Sequence, residues 1–170
     1  GLIDLVMEKL GEIGGVGVFH SEEVAVCEAR LKQLKQEGKG EPEWYPYSRP
    51  DYAESMAVDT VLQSAQVHGA KFFGIHTTCR KAADVIDRYR DDGSLVRGET
   101  CTHYTIYDDS VFDERGNLVK IAPPIRKPDD VEAMFEYLET GTLDLISTDH
   151  CCYKRADKEN AENFWESPSG

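Results

Sequence analysis

Three residues of this sequence are placed to do chemistry together. His20 follows the apolar run 16–19, His76 follows the run 71–75, and Asp149 follows the run 143–148. Two imidazoles and a carboxylate form a donor set that suits Zn²⁺ or a similar divalent ion. Taken singly, a histidine at the end of an apolar run reads as an ordinary, satisfied polar residue. Three titratable groups at successive run ends read differently, because burying them together is costly unless something pairs with them. They lie far apart along the chain, so only the fold can bring them together.

The elements that must do so are legible in the periodicity. Leu2, Leu5, Val6, Leu10 and Ile13 recur at helical spacing, and Gly14-Gly15 stops the pattern, which predicts a helix over 2–13. The run 16–19 reads as a strand, and Ser21, with Glu23 and Val24 behind it, as the cap of a helix reaching about Gln36. Residues 38–50 are rich in Gly, Pro and aromatics and read as a loop, with Pro50 just ahead of a helix over 51–68. The unit then repeats, with a strand over 71–75, a helix over 80–90, and a third strand over 95–99. An irregular stretch follows, with a turn at 114–117 and a rigid Pro123-Pro124. A helix over 129–138 and a strand over 143–148 complete the pattern. Short apolar strands alternating with helices predict an α/β fold with a parallel sheet. In such a sheet all strand ends of one sense share a face, which is where open sheets and barrels place their sites. Four strands do not decide between those two architectures.

Composition narrows the function classes. The chain has 170 residues, 40% apolar and 9% aromatic, enough for one domain with a real core. With 19 Lys and Arg against 32 Asp and Glu, the net charge is −13, which repels phosphate backbones and argues against a nucleic-acid partner. No apolar run approaches the roughly 20 residues of a membrane helix, so no membrane partner is expected. Five cysteines without a CxxC pair indicate neither a disulfide framework nor a cysteine zinc module, which suits a reducing cytoplasm. The chain opens at Gly1 directly into a periodic apolar segment, as a piece of a longer protein would.

Five motifs carry a resemblance. His20-Ser21-Glu22, Gly74-Ile75-His76-Thr77-Thr78, Gly98-Glu99-Thr100-Cys101, Ala122-Pro123-Pro124-Ile125-Arg126 and Ser147-Thr148-Asp149-His150-Cys151 resemble, in order, signatures of the cyclic amidohydrolases. The branch is the dihydropyrimidinase and hydantoinase group, and Arg49-Pro50 with Glu54 also matches it. The resemblance implies the second half of a (β/α)8 TIM barrel of the metal-dependent hydrolase type. Residues 1–170 would then be a partial catalytic domain, strands five to eight with their helices. It implies hydrolysis of a carbon-nitrogen bond in a small cyclic amide, of dihydropyrimidine or hydantoin type, by a hydroxide bridging two divalent ions, expected to be zinc. His20 and His76 match the two histidines of one metal. Asp149 matches the carboxylate on the other metal, which also serves as general base. Ala122 and Ser169 match substrate-contact positions, and a cytoplasmic homotetramer is implied.

The departures are specific. No His-x-His pair occurs, and no lysine stands at a strand end ahead of His20, so those ligands, including the bridging carboxylated lysine, are expected before Gly1. The chain alone is therefore expected to be inactive, with two sheet edges and an inner layer uncovered. Ala122 stands where relatives commonly have Ser before Pro-Pro, and Ser169 near where many have Asn. Two alternatives stay open: a non-catalytic scaffold of the collapsin response mediator type, and an allantoinase or dihydroorotase-type hydrolase. Among the remaining histidines, His103 is nearest the active face, His68 reads as the C-terminal residue of a helix, and His150 points away along a strand.

Overall fold

The computed structural model describes residues 1–90 and 96–170. Its centre is a four-stranded parallel sheet in the order β1 (Val16–Phe19), β2 (Lys71–Gly74), β3 (Val96–Cys101), β4 (Leu145–Ser147). Sequential strands are neighbours throughout, so each connection is a single crossover through helix. Before β1 comes α1 (Leu2–Ile13). Between β1 and β2 lie α2 (Val24–Gln36), the short α3 (Tyr45–Ser48) and α4 (Asp51–His68). After β2 comes α5 (Arg80–Tyr89). Short α6 (Val111–Arg115) and long α7 (Pro128–Thr140) separate β3 from β4, and α8 (Arg155–Glu159) follows β4.

The core forms where helices cover one face of the sheet. Phe72 of β2 and Val96 of β3 point into it, meeting Met7 of α1, Leu62 and Ala65 of α4, Ile86 of α5 and Met134 of α7. Their burial supplies the main driving force, about 1.5–3 kcal/mol for each large apolar side chain. The edge strands keep apolar residues in the open: Val16 and Val18 on β1, Leu145 and Ile146 on β4. Among the described residues no helix is long and apolar enough to cross a membrane.

Helix α1 crosses α4 at Gly11, where an added Cβ would lie 2.1 Å from the carbonyl oxygen of His68. The crossing is pinned by Asp4, whose carboxylate accepts from Ser64 Oγ and His68 Nε2, both at 3.0 Å. His68 thus ends α4, as expected, while tying it to α1. Gly11→Ala is expected to destabilise the protein by about 1–3 kcal/mol, the usual penalty of overpacking. A chemical denaturation midpoint measured beside the control Gly40→Ala, where a Cβ meets open space, would check it.

Several element boundaries differ from the sequence expectation, β3 running on to Cys101, α7 to Thr140 and the short α3 forming inside the expected loop, and two others have a visible cause. Helix α2 begins at Val24 with Glu23 as its cap, the Glu23 carboxylate accepting from Ala25 N. Ser21 instead turns its hydroxyl back to Phe19 O, and Glu23 N donates to Ala53 O at 2.9 Å. Strand β4 begins at Leu145: Asp144 N still donates to Gly98 O at 2.8 Å, but Gly98 N donates to the Asp144 carboxylate, which also accepts from Arg90, and not to a backbone carbonyl of the strand. Leu95, the expected start of the third strand, lies outside the described residues.

Candidate active site

The segment leaving β1 carries the first candidate. His20 Nδ1 faces His76 Nε2 at 3.1 Å, with ring centroids 4.8 Å apart. The other nitrogen, His20 Nε2, lies 2.7 Å from Glu22 Oε2. Glu22 is buried, and Arg49 Nε donates to both its oxygens at 3.0 Å, with Arg49 Nη2 reinforcing one of them. Burial pushes the Glu22 carboxyl up, but hydrogen bonds from His20 and Arg49 and the Arg49 charge outweigh it and hold it below its usual range. An ionised carboxylate only accepts, so the proton of neutral His20 sits on Nε2 and the Nδ1 lone pair points at His76.

His76 follows β2 and is buried. Its φ is 42° and that of Asp149 is 43°, and these are the only non-glycine residues with positive φ among the described residues. Such conformations are uncommon outside glycine and gather at functional sites, where surrounding structure must impose them. The imposing contacts are visible. Thr77 N donates to Glu99 O at 2.8 Å, Thr100 Oγ1 donates to Thr77 O at 2.7 Å, and Thr78 N donates to Glu54 Oε1 at 2.8 Å. Burial, then the neighbouring His20, lowers the His76 pKa, with Asp149 opposing, so the imidazole is held neutral. Its Nδ1 is buried without a partner among the described residues.

This pair fits a divalent ion. Metal to nitrogen bonds of about 2.0–2.1 Å at a tetrahedral angle place two ligand nitrogens roughly 3.3–3.4 Å apart, and these two stand at 3.1 Å, a few tenths of an ångström from that spacing. The Glu22 carboxylate behind His20 is the kind of partner that fixes the tautomer and aim of a metal-binding imidazole. Among the described residues no third His, Cys, Asp or Glu joins them in a coordinating cluster. Asp149 stands exposed just beyond β4, and its charge is felt by both His76 and His103. All three sequence candidates therefore share the rim at the C-terminal ends of the strands, with the histidines in contact and the aspartate apart.

Comparison with known proteins places this rim in a lineage. No known protein-family profile matches the chain. Over 164 residues, 96% of this chain, it is 32% identical to an allantoinase of Escherichia coli O1:K1, and it spans about 36% of the length of that relative. Its fold superposes on a D-hydantoinase from Bacillus sp. AR9 with a TM-score of 0.93 at 28% identity, covering 99% of this chain and 38% of that one. A dihydropyrimidinase from Brevibacillus agri gives 0.93 at 25% identity, with the same coverage. Over nearly its whole length the chain is thus similar, in sequence and in fold, to cyclic amidohydrolases. Its parallel sheet corresponds to a C-terminal part of the TIM barrels of those hydantoinase structures, the partial barrel that the motifs implied.

Two further positions of the chain were expected to meet substrate. Ser169 is exposed, its Oγ 3.4 Å from Tyr45 Oη, and it lines a cavity of about 350 Å³ together with His20, Glu22, Arg49, Lys120 and Trp165. Ala122 is half-buried and lies outside that lining. His103 is half-buried against Tyr104, its Nε2 buried and unpartnered, and burial pushes its pKa down to about 4 against the pull of Asp149. It is neutral beside the candidate base.

Sequence reasoning missed the polar scaffold behind the rim. Glu54 of α4 and Arg126 are both buried and pair at 3.0 Å, and Arg126 Nε also donates to Thr78 Oγ1 at 2.9 Å. Arg126 Nη1 donates to Arg49 O. A half-buried ion pair, Glu22 with Arg49, and a buried one, Glu54 with Arg126, thus brace the segments that carry His20 and His76. The motif residues Arg49, Glu54 and Arg126 were visible as a resemblance, but nothing in their spacing shows that they touch.

Proposed function

We propose that the protein hydrolyses a ring amide of a small cyclic ureide or imide, with His20 and His76 as the two nitrogen ligands of a divalent ion and Asp149 as general base. The observation that carries this reading is the 3.1 Å approach of two imidazoles, one aimed by a buried carboxylate and the other held at an unusual φ. A divalent ion bound there would acidify water and polarise the ring carbonyl, which an unactivated amide requires at neutral pH. The chain's own residues do the rest. Glu22 accepts the Nε2 proton of His20, which leaves Nδ1 of the neutral ring as the ligand nitrogen. Asp149 takes the proton from the attacking oxygen and returns it to the departing ring nitrogen. His103, neutral beside it, leaves the carboxylate free to cycle. Zinc as the ion, a second metal with a bridging carboxylated lysine, cytoplasmic residence and a tetramer belong to the same proposal by resemblance.

For the ring, the curated relative is named for allantoin and the structural relatives for hydantoins and dihydropyrimidines. A scaffold without catalysis is disfavoured by the intact histidine pair and the braced backbone behind it. The test is metal analysis of the full-length protein with rates on allantoin, hydantoin and dihydrouracil. About two divalent ions per chain, with one ring opened and activity lost on chelation, is the expected result. No bound metal and no turnover would establish the scaffold instead.

A further inference from the structure

Lys120 is a buried lysine with no place in the chemistry above. Its ammonium donates to three carbonyl oxygens of one segment: Phe164 O and Trp165 O at 2.9 Å, and Ser167 O at 2.6 Å. An ammonium has three donors and no acceptor, so this segment satisfies it completely. The charge also lies over the rings of Tyr45 and Phe164, at 5.6 and 5.2 Å from their centroids. Burial pushes its pKa down to about 8, with Glu166 pulling the other way and Arg49, Lys158 and Lys35 adding to the burial effect. It is therefore a cation at neutral pH.

The backbone closes the arrangement. Gly170 N donates to Lys120 O at 3.1 Å, and Lys158 Nζ donates to the same oxygen at 2.8 Å. Residues 164–170 are thus fastened to Lys120 by both its side chain and its carbonyl. That segment carries Trp165 and Ser169, which line the 350 Å³ cavity with His20, Glu22 and Lys120 itself. The segment is also held by Phe164, buried against Tyr45 and Phe112, and by Trp165 Nε1, which donates to Lys39 O at 3.2 Å. An apolar side chain at position 120 would take a donor from three carbonyls, of which only Phe164 O keeps another, from Ser167 N, and would loosen the wall between its Phe164 anchor and Gly170.

We propose that Lys120 is a positioning residue that fixes the segment 164–170 as the wall of the cavity beside His20, and so sets substrate affinity while leaving bond breaking to the rim. The proposal rests on the hydrolase reading. It is tested in the full-length protein with whichever of allantoin, hydantoin or dihydrouracil the wild type opens. Lys120→Met is expected to raise KM about tenfold and to change kcat by less than about threefold, since only uniform binding is removed. Divalent-ion content stays at the wild-type level, and the amides of Glu166, Ser167 and Gly170 exchange hydrogen faster. Lys120→Gln keeps two N–H donors and is expected to give an intermediate KM. An unchanged KM, or a fall in kcat alone, would overturn the proposal, as would failure of both variants to fold, which would make Lys120 a folding residue only. A wild type inactive on every ring defeats the hydrolase reading itself and takes this proposal with it, a result distinct from active variants with unaltered KM.

Discussion

Asp149→Asn in the full-length protein is expected to lower kcat by about 10²–10⁴-fold, the usual contribution of a positioned acid or base. The substitution is clean for a reason of backbone geometry. Asp149 sits at φ 43°, and asparagine occupies that region as readily as aspartate. The change therefore removes the charge and the proton acceptor without asking the chain to move. The same logic selects His76→Asn over His76→Ala as the partner experiment, because alanine at φ 42° would mix backbone strain with loss of the ligand. His76→Asn is expected to lower divalent-ion content together with kcat, whereas Asp149→Asn lowers kcat more than it lowers metal content. Steady-state rates and metal analysis on the same preparations separate the two roles. Near-normal turnover in either variant would remove that residue from the mechanism.

The four strands and the long helices were readable because each depends on a local period. Residues 16–19 and 72–75 are continuous apolar runs, and α1, α4, α5 and α7 carry apolar stripes long enough to count. Boundaries slipped where a side chain replaced a backbone partner. Asp144 caps Gly98 N and so shortens β4, and the run from His20 to Glu23 stays extended because its groups are spent on Phe19, His20 and Ala53. The short helices α3, α6 and α8 were unreadable for another reason. Segments of four or five residues cannot nucleate themselves, and they form where packing holds them, as Tyr45 does against Phe112 and Phe164.

The candidate site divides the same way. His20, His76 and Asp149 were legible because each ends a strand, and a parallel sheet brings such ends to one rim. The scaffold was illegible because its partners are joined across the fold without any periodic relation. Arg126 reaches Glu54 from 72 positions away and the Arg49 carbonyl from 77, and Lys120 reaches the 164–167 segment across 44 to 47. A buried charge announces itself only when its partner is seen.

That buried scaffold makes the second large effect. Glu54→Gln is expected to destabilise the protein by about 3–5 kcal/mol, because it leaves the Arg126 guanidinium buried without its counter-charge. Burial tends to raise the Glu54 carboxyl, opposed first by the Arg126 charge and then by hydrogen bonds from Thr78. The pair is thus interdependent, and each charge is tolerable only beside the other. Removing both charges, in Glu54→Gln with Arg126→Met, is expected to recover much of the stability lost in the single variant. Activity should behave differently. Arg126 Nε and the Glu54 carboxylate meet at Thr78, two residues beyond His76, and it is this hold on Thr78 that helps keep His76 at its positive φ. A double variant that melts near the wild type yet keeps a kcat depressed by tenfold or more would show that the ion pair serves to aim His76 and that its effect on stability is incidental. Recovery of kcat along with the melting temperature would mean the reverse, that Thr77 bound to Glu99 and Thr100 suffices to hold the imidazole against His20.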